Sequence, residues 1–245
     1  QNMQEDCIHP SRCTYLALLK ACIQMRCLRR VRELHFDIIK EGHEKDSFVR
    51  STLVDVYMKI GSPIEALSVF EEVQDIDVVS WGALMTGFVK YGHMEETLKC
   101  LPHMRIMGIS PDSVVLICCL KACSNIGSLM MGKQVHTEIS KHGLLANNLM
   151  LQNTLVDMYA KCGALREAQK VFDEIPKPTA VSWTSLIAGY LRHGCIDKGL
   201  SFNIKDMYHA DISLDAASVM CIVKACGSMG LVELGEKIYT EVRKH

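Results

Sequence analysis

Apolar residues along this chain recur at steps of three and four, in runs that stop at a glycine and resume a few residues later. The stretch Asn153–Gly163 shows the pattern: Leu155, Val156, Met158 and Tyr159 fall on one helical face, and Gly163 ends the run. Glycine holds the stop position at Gly61, Gly92, Gly127, Gly163, Gly194 and Gly230, and Arg26 holds it once. A glycine just past a helix end takes the left-handed conformation without steric penalty, so each marks a C-terminal stop. A second periodic stretch follows each stop, such as Leu165 to Ile175, closed by Pro176. The pattern predicts helix pairs and no sheet, about fourteen helices in all.

The pairs are repeats. LLKAC (Leu18–Cys22), CLKAC (Cys119–Cys123) and IVKAC (Ile222–Cys226) return at near-constant intervals, and STLVDVYMKIG (Ser51–Gly61) returns as NTLVDMYAKCG (Asn153–Gly163). VVSWGALMTGFVKYG (Val78–Gly92) and AVSWTSLIAGYLRHG (Ala180–Gly194) share Val-Ser-Trp, Leu, Gly, an aromatic, a basic residue and a final Gly. Seven units result, at 12–46, 47–77, 78–112, 113–148, 149–179, 180–215 and an incomplete 216–245; residues 1–11 read as the tail of an earlier unit. A lone helix pair cannot bury its apolar face, so neighbours must stack, and the expected fold is an all-α, right-handed superhelical solenoid. The chain starts at Gln1 and stops at His245 inside a pattern met twice before, which reads as a segment of a longer protein. The absence of a targeting segment therefore carries no information.

Composition narrows the function. No apolar run approaches a membrane span, so no membrane partner is expected. The 12 cysteines form no C-x-x-C pair and sit in apolar helical contexts, as buried free thiols do in a reducing compartment. Cys22/Cys27 and Cys221/Cys226 occupy repeat positions and read as core. The net charge of −1 does not itself point to nucleic acid, so any such binding rests on charge placement. His136-Thr137-Glu138 matches half of a zinc-deaminase signature, but no P-C-x-x-C exists, and the same place in the other long units holds His35 and Tyr239. No metal, no cofactor and no catalytic residue are expected, because no nucleophilic triad or phosphate loop is present.

Placement offers a binding surface instead. Lys59, Lys90, Lys161 and Arg192 each stand two residues before a turn glycine and two after an aromatic: Tyr57, Phe88, Tyr159 and Tyr190. Cations at a regular rise suit a phosphate backbone; they also suit helix C-termini, where positive charge is worth about 0.3–1 kcal/mol. The aromatics, fixed at a packing position, read as core. Ser51, Gly82, Asn153 and Thr184 fill the fifth place of their units and vary while the frame around them does not. They read either as recognition positions or as polar helix starts.

LLKAC, DMYAKCG, AQKVFDEIP, VSW and GISPD, with units of 31 and about 35 residues, resemble the pentatricopeptide repeats of plants that alternate long and short motifs, in the order L, S, P, L, S, P, L. The related tetratricopeptide repeats carry Gly or Ala early in the first helix, where this chain has Val54, Met85, Val156 and Ile187. Two departures stand out: Arg26 in place of a glycine, and an extra residue near Asn203. The resemblance implies single-stranded RNA binding, one base per unit, read by the fifth and last residues. It thereby pairs Ser51 with Asp77, Gly82 with Asp112, Asn153 with Thr179 and Thr184 with Asp215.

An ionised Asp only accepts hydrogen bonds, which favours the ring N–H of guanine or uracil; Ser or Thr leaves room for a purine, and Asn reaches a pyrimidine. The resemblance then gives G to Ser51/Asp77 and Thr184/Asp215, and a pyrimidine to Asn153/Thr179. Gly82/Asp112 is lax, and Leu16/Asp46 and Ile117/Asn148 do not fit the code. The implied site for units 12–215 is 5′-N-G-N-N-Y-G-3′. Phe48, Val79, Met150 and Val181 would wedge between bases, with packing inside the solenoid as the competing role. The family setting implies a mitochondrial or chloroplast factor of C-to-U editing or RNA processing, with L units open to editing cofactor proteins. The alternative function is a protein-interaction scaffold.

Overall fold

A computed structural model describes residues 10–72, 76–146, 148–195, 219–220, 223–224, 226–227, 230 and 232–242. Its helices are α1 (Arg12–Met25), α2 (Leu28–Lys40), α3 (Ser47–Ile60), α4 (Pro63–Glu71), α5 (Val78–Tyr91), α6 (Met94–Ile106), α7 (Ser113–Ile126), α8 (Leu129–Lys141), α9 (Leu149–Lys161), α10 (Leu165–Asp173), α11 (Ala180–Arg192) and α12 (Val232–Val242). No strand occurs among the described residues. The extra residue near Asn203 lies outside them. Two compact parts can be distinguished, Gln1–Val115 and Leu116–His245.

In the first part α1 packs on α2, α3 on α4 and α5 on α6, and the first helices also pack on one another, α1 on α3 and α3 on α5. In the second part α9 packs on α8, α10 and α11. The short units lose one turn from their second helix: α4 and α10 have 9 residues, against 13 in α2, α6 and α8. Every turn glycine of the series has positive φ, and so does Arg26, at φ 48° and ψ 35°, the one non-glycine of that kind among the described residues. The departure from glycine leaves the left-handed turn in place, at the steric cost a side chain brings there.

The recurrent frame is explained by packing. Trp81 meets Phe70 edge-on at 5.0 Å and Trp183 meets Phe172 at 4.9 Å, so each tryptophan closes against the short second helix of the unit before. Gly189 lies where α11 presses on α9: a Cβ there would stand 2.5 Å from the Cβ of Ala160. Gly87, in the same place of its unit, faces the thioether of Met58. Tyr57, Phe88, Tyr159 and Tyr190 are all core residues. Two of them carry a matching bond, His35 Nδ1 to Tyr57 Oη at 3.0 Å and His136 Nδ1 to Tyr159 Oη at 2.8 Å. Burial lowers the pKa of both histidines and pushes both tyrosines up to about 12.

Candidate nucleic-acid interface

Among the described residues, the last residue of a unit caps the N-terminus of the next unit's first helix at Asp46, Asp77, Asp112, Asn148 and Thr179. Asp46 Oδ1 accepts from the amides of Phe48 (2.9 Å) and Val49 (3.1 Å). Asp77 Oδ1 accepts from the Ser80 amide (2.8 Å) and hydroxyl (2.7 Å), and Asp112 Oδ1 from the Val115 amide (2.9 Å). Asn148 Oδ1 accepts from the Leu151 amide at 3.0 Å, and Thr179 forms a reciprocal capping box with Ser182. Such caps are worth about 1 kcal/mol each. The Ser80 hydroxyl and amide hold the Asp77 carboxyl below its ordinary pKa, so it is ionised and acceptor-only at neutral pH. Capping thus engages one oxygen of Asp77 and of Asp112, and a carboxylate has a second to offer.

The fifth-place residues differ in what they reach. Asn153 Nδ2 lies 3.4 Å from Thr179 Oγ1, and Asn153 Oδ1 accepts from Ser182 Oγ at 2.6 Å, so this pair is in direct contact. Ser51 is exposed and shares with Ser80, the residue that holds Asp77, a cleft of about 390 Å³ that also meets Asp55, Lys90 and Tyr91. Gly82 is buried, and a Cβ there would stand 3.3 Å from Val114 Cγ1, in the second place of the next unit. Thr184 is 7% exposed, with its hydroxyl turned back to the Ala180 carbonyl at 2.6 Å. Its partner Asp215 lies outside the described residues. In the long units Leu16 is half-buried and Ile117 buried.

Around these places lie apolar side chains in water. Phe48 is 63% exposed, Val79 68%, Met150 66% and Val181 54%. The core does not use them, although burying such a side chain is worth about 1.5–3 kcal/mol. All four basic residues are exposed. Lys59 pairs with Asp55 at 2.6 Å and Lys161 with Asp157 at 2.7 Å, while Lys90 Nζ sits 5.5 Å from the Tyr91 ring centroid. Exposed pairs of this kind are worth about 0–1 kcal/mol, so they can exchange for another anion.

Two contributors escape a reading by the fifth and last places alone. Ser80 and Ser182, three residues after a cap, orient it; the signal is the serine of the twice-repeated Val-Ser-Trp. Arg12 reaches across a whole unit to Asp46, a contact no local spacing announces. Among the described residues no group of three or more His, Cys, Asp or Glu could hold a metal. Among them, too, no helix is long and apolar enough to cross a membrane.

Comparison with known proteins places this geometry. A mitochondrial pentatricopeptide repeat-containing protein of Arabidopsis thaliana is 33% identical over 99% of this chain and 37% of its own length. A chloroplastic one from the same plant is 35% identical over 93% of this chain and 36% of its own. The chain spans about a third of the length of these curated relatives. The crystal structure of the pentatricopeptide repeat protein PPR10 from maize superposes with a TM-score of 0.63 at 17% identity, covering 99% of this chain and 35% of that one. PPR10 in complex with an 18-nt psaJ RNA element gives 0.59 at 16% identity, covering 98% and 41%. These likenesses show the fold to be that of the helical-repeat solenoid. The PPR repeat model itself matches residues 13–43, 48–78, 79–109, 153–177 and 181–202, more than half of the chain, which therefore belongs to the pentatricopeptide repeat family.

Proposed function

We propose that this chain binds single-stranded RNA in a sequence-specific way, one base per repeat unit, as the specificity module of an organellar C-to-U editing or RNA-processing factor. The observation that carries the reading is the Asn153–Thr179 contact, with the exposed Met150 and Val181 close to it in sequence. Two polar side chains, the fifth and the last of one unit, meet at 3.4 Å, and an exposed apolar side chain stands three residues before the first and two after the second. That is the equipment needed to hydrogen-bond one base edge and separate it from its neighbours. Ser51/Asp77, Gly82/Asp112 and Thr184/Asp215 are assigned the same role, and Phe48 and Val79 the same wedging. PPR10, a solved protein with this fold, is seen with RNA.

Lys59, Lys90, Lys161 and Arg192 are assigned to phosphates, with Asp55 and Asp157 as their resting partners. The alternation of long and short units supports the editing setting, and relatives named mitochondrial and chloroplastic support an organelle. The chain supplies recognition, and any deamination comes from another domain or protein. The 12–46, 47–77, 78–112, 113–148, 149–179 and 180–215 units serve as the reading frame of the site. Selecting RNAs from a random pool with the purified chain tests this: enrichment of N-G-N-N-Y-G is expected, and enrichment without any positional base preference would overturn it.

A further inference from the structure

Arg12 is the only charged residue at the first place of a unit; Ser47, Val78, Ser113, Leu149, Ala180 and Ala216 fill the others. Its Nη1 donates to Asp46 Oδ2 at 3.0 Å, and its Cζ lies 4.7 Å from the centroid of the Phe48 ring. Asp46 Oδ1 is already taken by the amides of Phe48 and Val49. Both oxygens of this carboxylate are therefore engaged, whereas among the described residues the bonds of Asp77 and Asp112 run to Oδ1. The fifth-place residue of the unit, Leu16, has no polar atom on its side chain.

An acceptor-based reading cannot operate at such a place. The guanidinium offers the opposite chemistry. Only Nη1 is engaged among the described residues, leaving other N–H donors in a fixed planar fork. The Arg12 side chain is 45% exposed, so a guanidinium lying over Phe48 can still present a planar surface to a stacked base.

We propose that Arg12 is the base-discriminating residue of the unit at 12–46, selecting bases with two adjacent hydrogen-bond acceptors. Guanine offers O6 and N7, and cytosine N3 and O2; adenine and uracil offer no such adjacent pair. The proposal rests on the RNA-binding reading above and turns the first N of N-G-N-N-Y-G into G or C.

The test uses the whole chain and four RNA oligonucleotides, XGAAYG with X varied, measured by fluorescence anisotropy. Wild type is expected to bind X = G or C about tenfold more tightly than A or U, the size of one good base contact. Arg12→Ala should erase that preference. Arg12→Lys keeps the charge without the fork or the planar stack, so it should preserve the salt dependence and still lose the preference. Circular dichroism confirms that both variants fold.

Three results would overturn the assignment. The first is equal weakening of all four oligonucleotides by Arg12→Ala with full rescue by Lys, which makes Arg12 a phosphate contact. The second is a lower melting temperature with the base order intact, which makes it a support for the Asp46 cap. The third is a wild type indifferent to X. Retained pyrimidine choice at the Asn153/Thr179 position in any of these cases leaves the broader reading standing; absence of all RNA binding overturns both.

Discussion

Gly189→Ala places a methyl group where α11 presses on α9. The new Cβ would stand 2.5 Å from Ala160 Cβ and 3.3 Å from Ala160 Cα, against about 3.5–4.0 Å for comfortable carbon contacts. Ala160 is 1% exposed and has no rotamer through which to escape, so the helices must part by roughly 1 Å. Overpacking of this sort costs about 1–3 kcal/mol, and a backbone obstacle puts it near the top of that range. Alanine recovers about 1 kcal/mol of helix propensity over glycine. The net is a destabilisation of about 2 kcal/mol, or about 4–8 °C in melting temperature for a chain of this size.

Gly87→Ala is the internal control. Its Cβ would meet Met58 Cε at 2.7 Å and Sδ at 2.8 Å, atoms at the end of a flexible side chain that can turn aside. There the propensity gain and the repacking cost of about 1 kcal/mol cancel, and the melting temperature should move by less than about 2 °C. Thermal unfolding followed by circular dichroism compares the two variants directly. Equal shifts for both would refute the idea that the helix-to-helix approach distinguishes the two places.

Further outcomes follow from single contacts. Arg26→Gly relieves a side chain at φ 48° and should stabilise the chain by about 1 kcal/mol in denaturant unfolding, while Gly61→Arg should cost a similar amount. His35 and His136 are held neutral by burial, with folded pKa below the unfolded value of 6.5. Their contribution is present above that value and is lost as pH falls through the lowered folded pKa. Melting temperature should therefore decline on acidification below about pH 6.5, and the decline should be shallower in His35→Phe/His136→Phe. Ala at Lys59, Lys90, Lys161 or Arg192 should weaken all RNA sequences alike and lower the salt slope by about 0.7 each. Asp55→Asn and Asp157→Asn, which release two of these lysines, should strengthen binding.

The fold was legible because each level of the sequence repeats the same instruction. The apolar period, the turn glycine and the tryptophan frame recur, and a packing contact such as Trp81–Phe70 reappears as Trp183–Phe172. The candidate site was legible in its positions more than in its states. Position and variation single out Asn153, the resemblance adds Thr179 as its partner, and the structure brings the two together. Nothing local says that Thr184 turns its hydroxyl to the Ala180 carbonyl, because a mid-helix threonine chooses between its own backbone and an outside partner. The exposure of Phe48, Val79, Met150 and Val181 depends on where neighbouring helices lie, and periodicity alone left them divided between core and surface. Arg12 was invisible because its partner Asp46 is 34 residues away.

Whether the fifth and last residues choose a base is decided by the double variant Asn153→Thr/Thr179→Asp. Aspartate is as good an N-cap as threonine or better, so the start of α11 should be kept. The exposed apolar residues and Lys161 are untouched, although the 2.6 Å bond from Ser182 to Asn153 is lost. Wild type and variant are titrated against RNA pairs that differ only at the base before the final G. Preference should move from a pyrimidine to G by about 1–3 kcal/mol, with affinity for the matched RNA nearly preserved. The same base order in both proteins would contradict it and leave Asn153 and Thr179 as a capping pair.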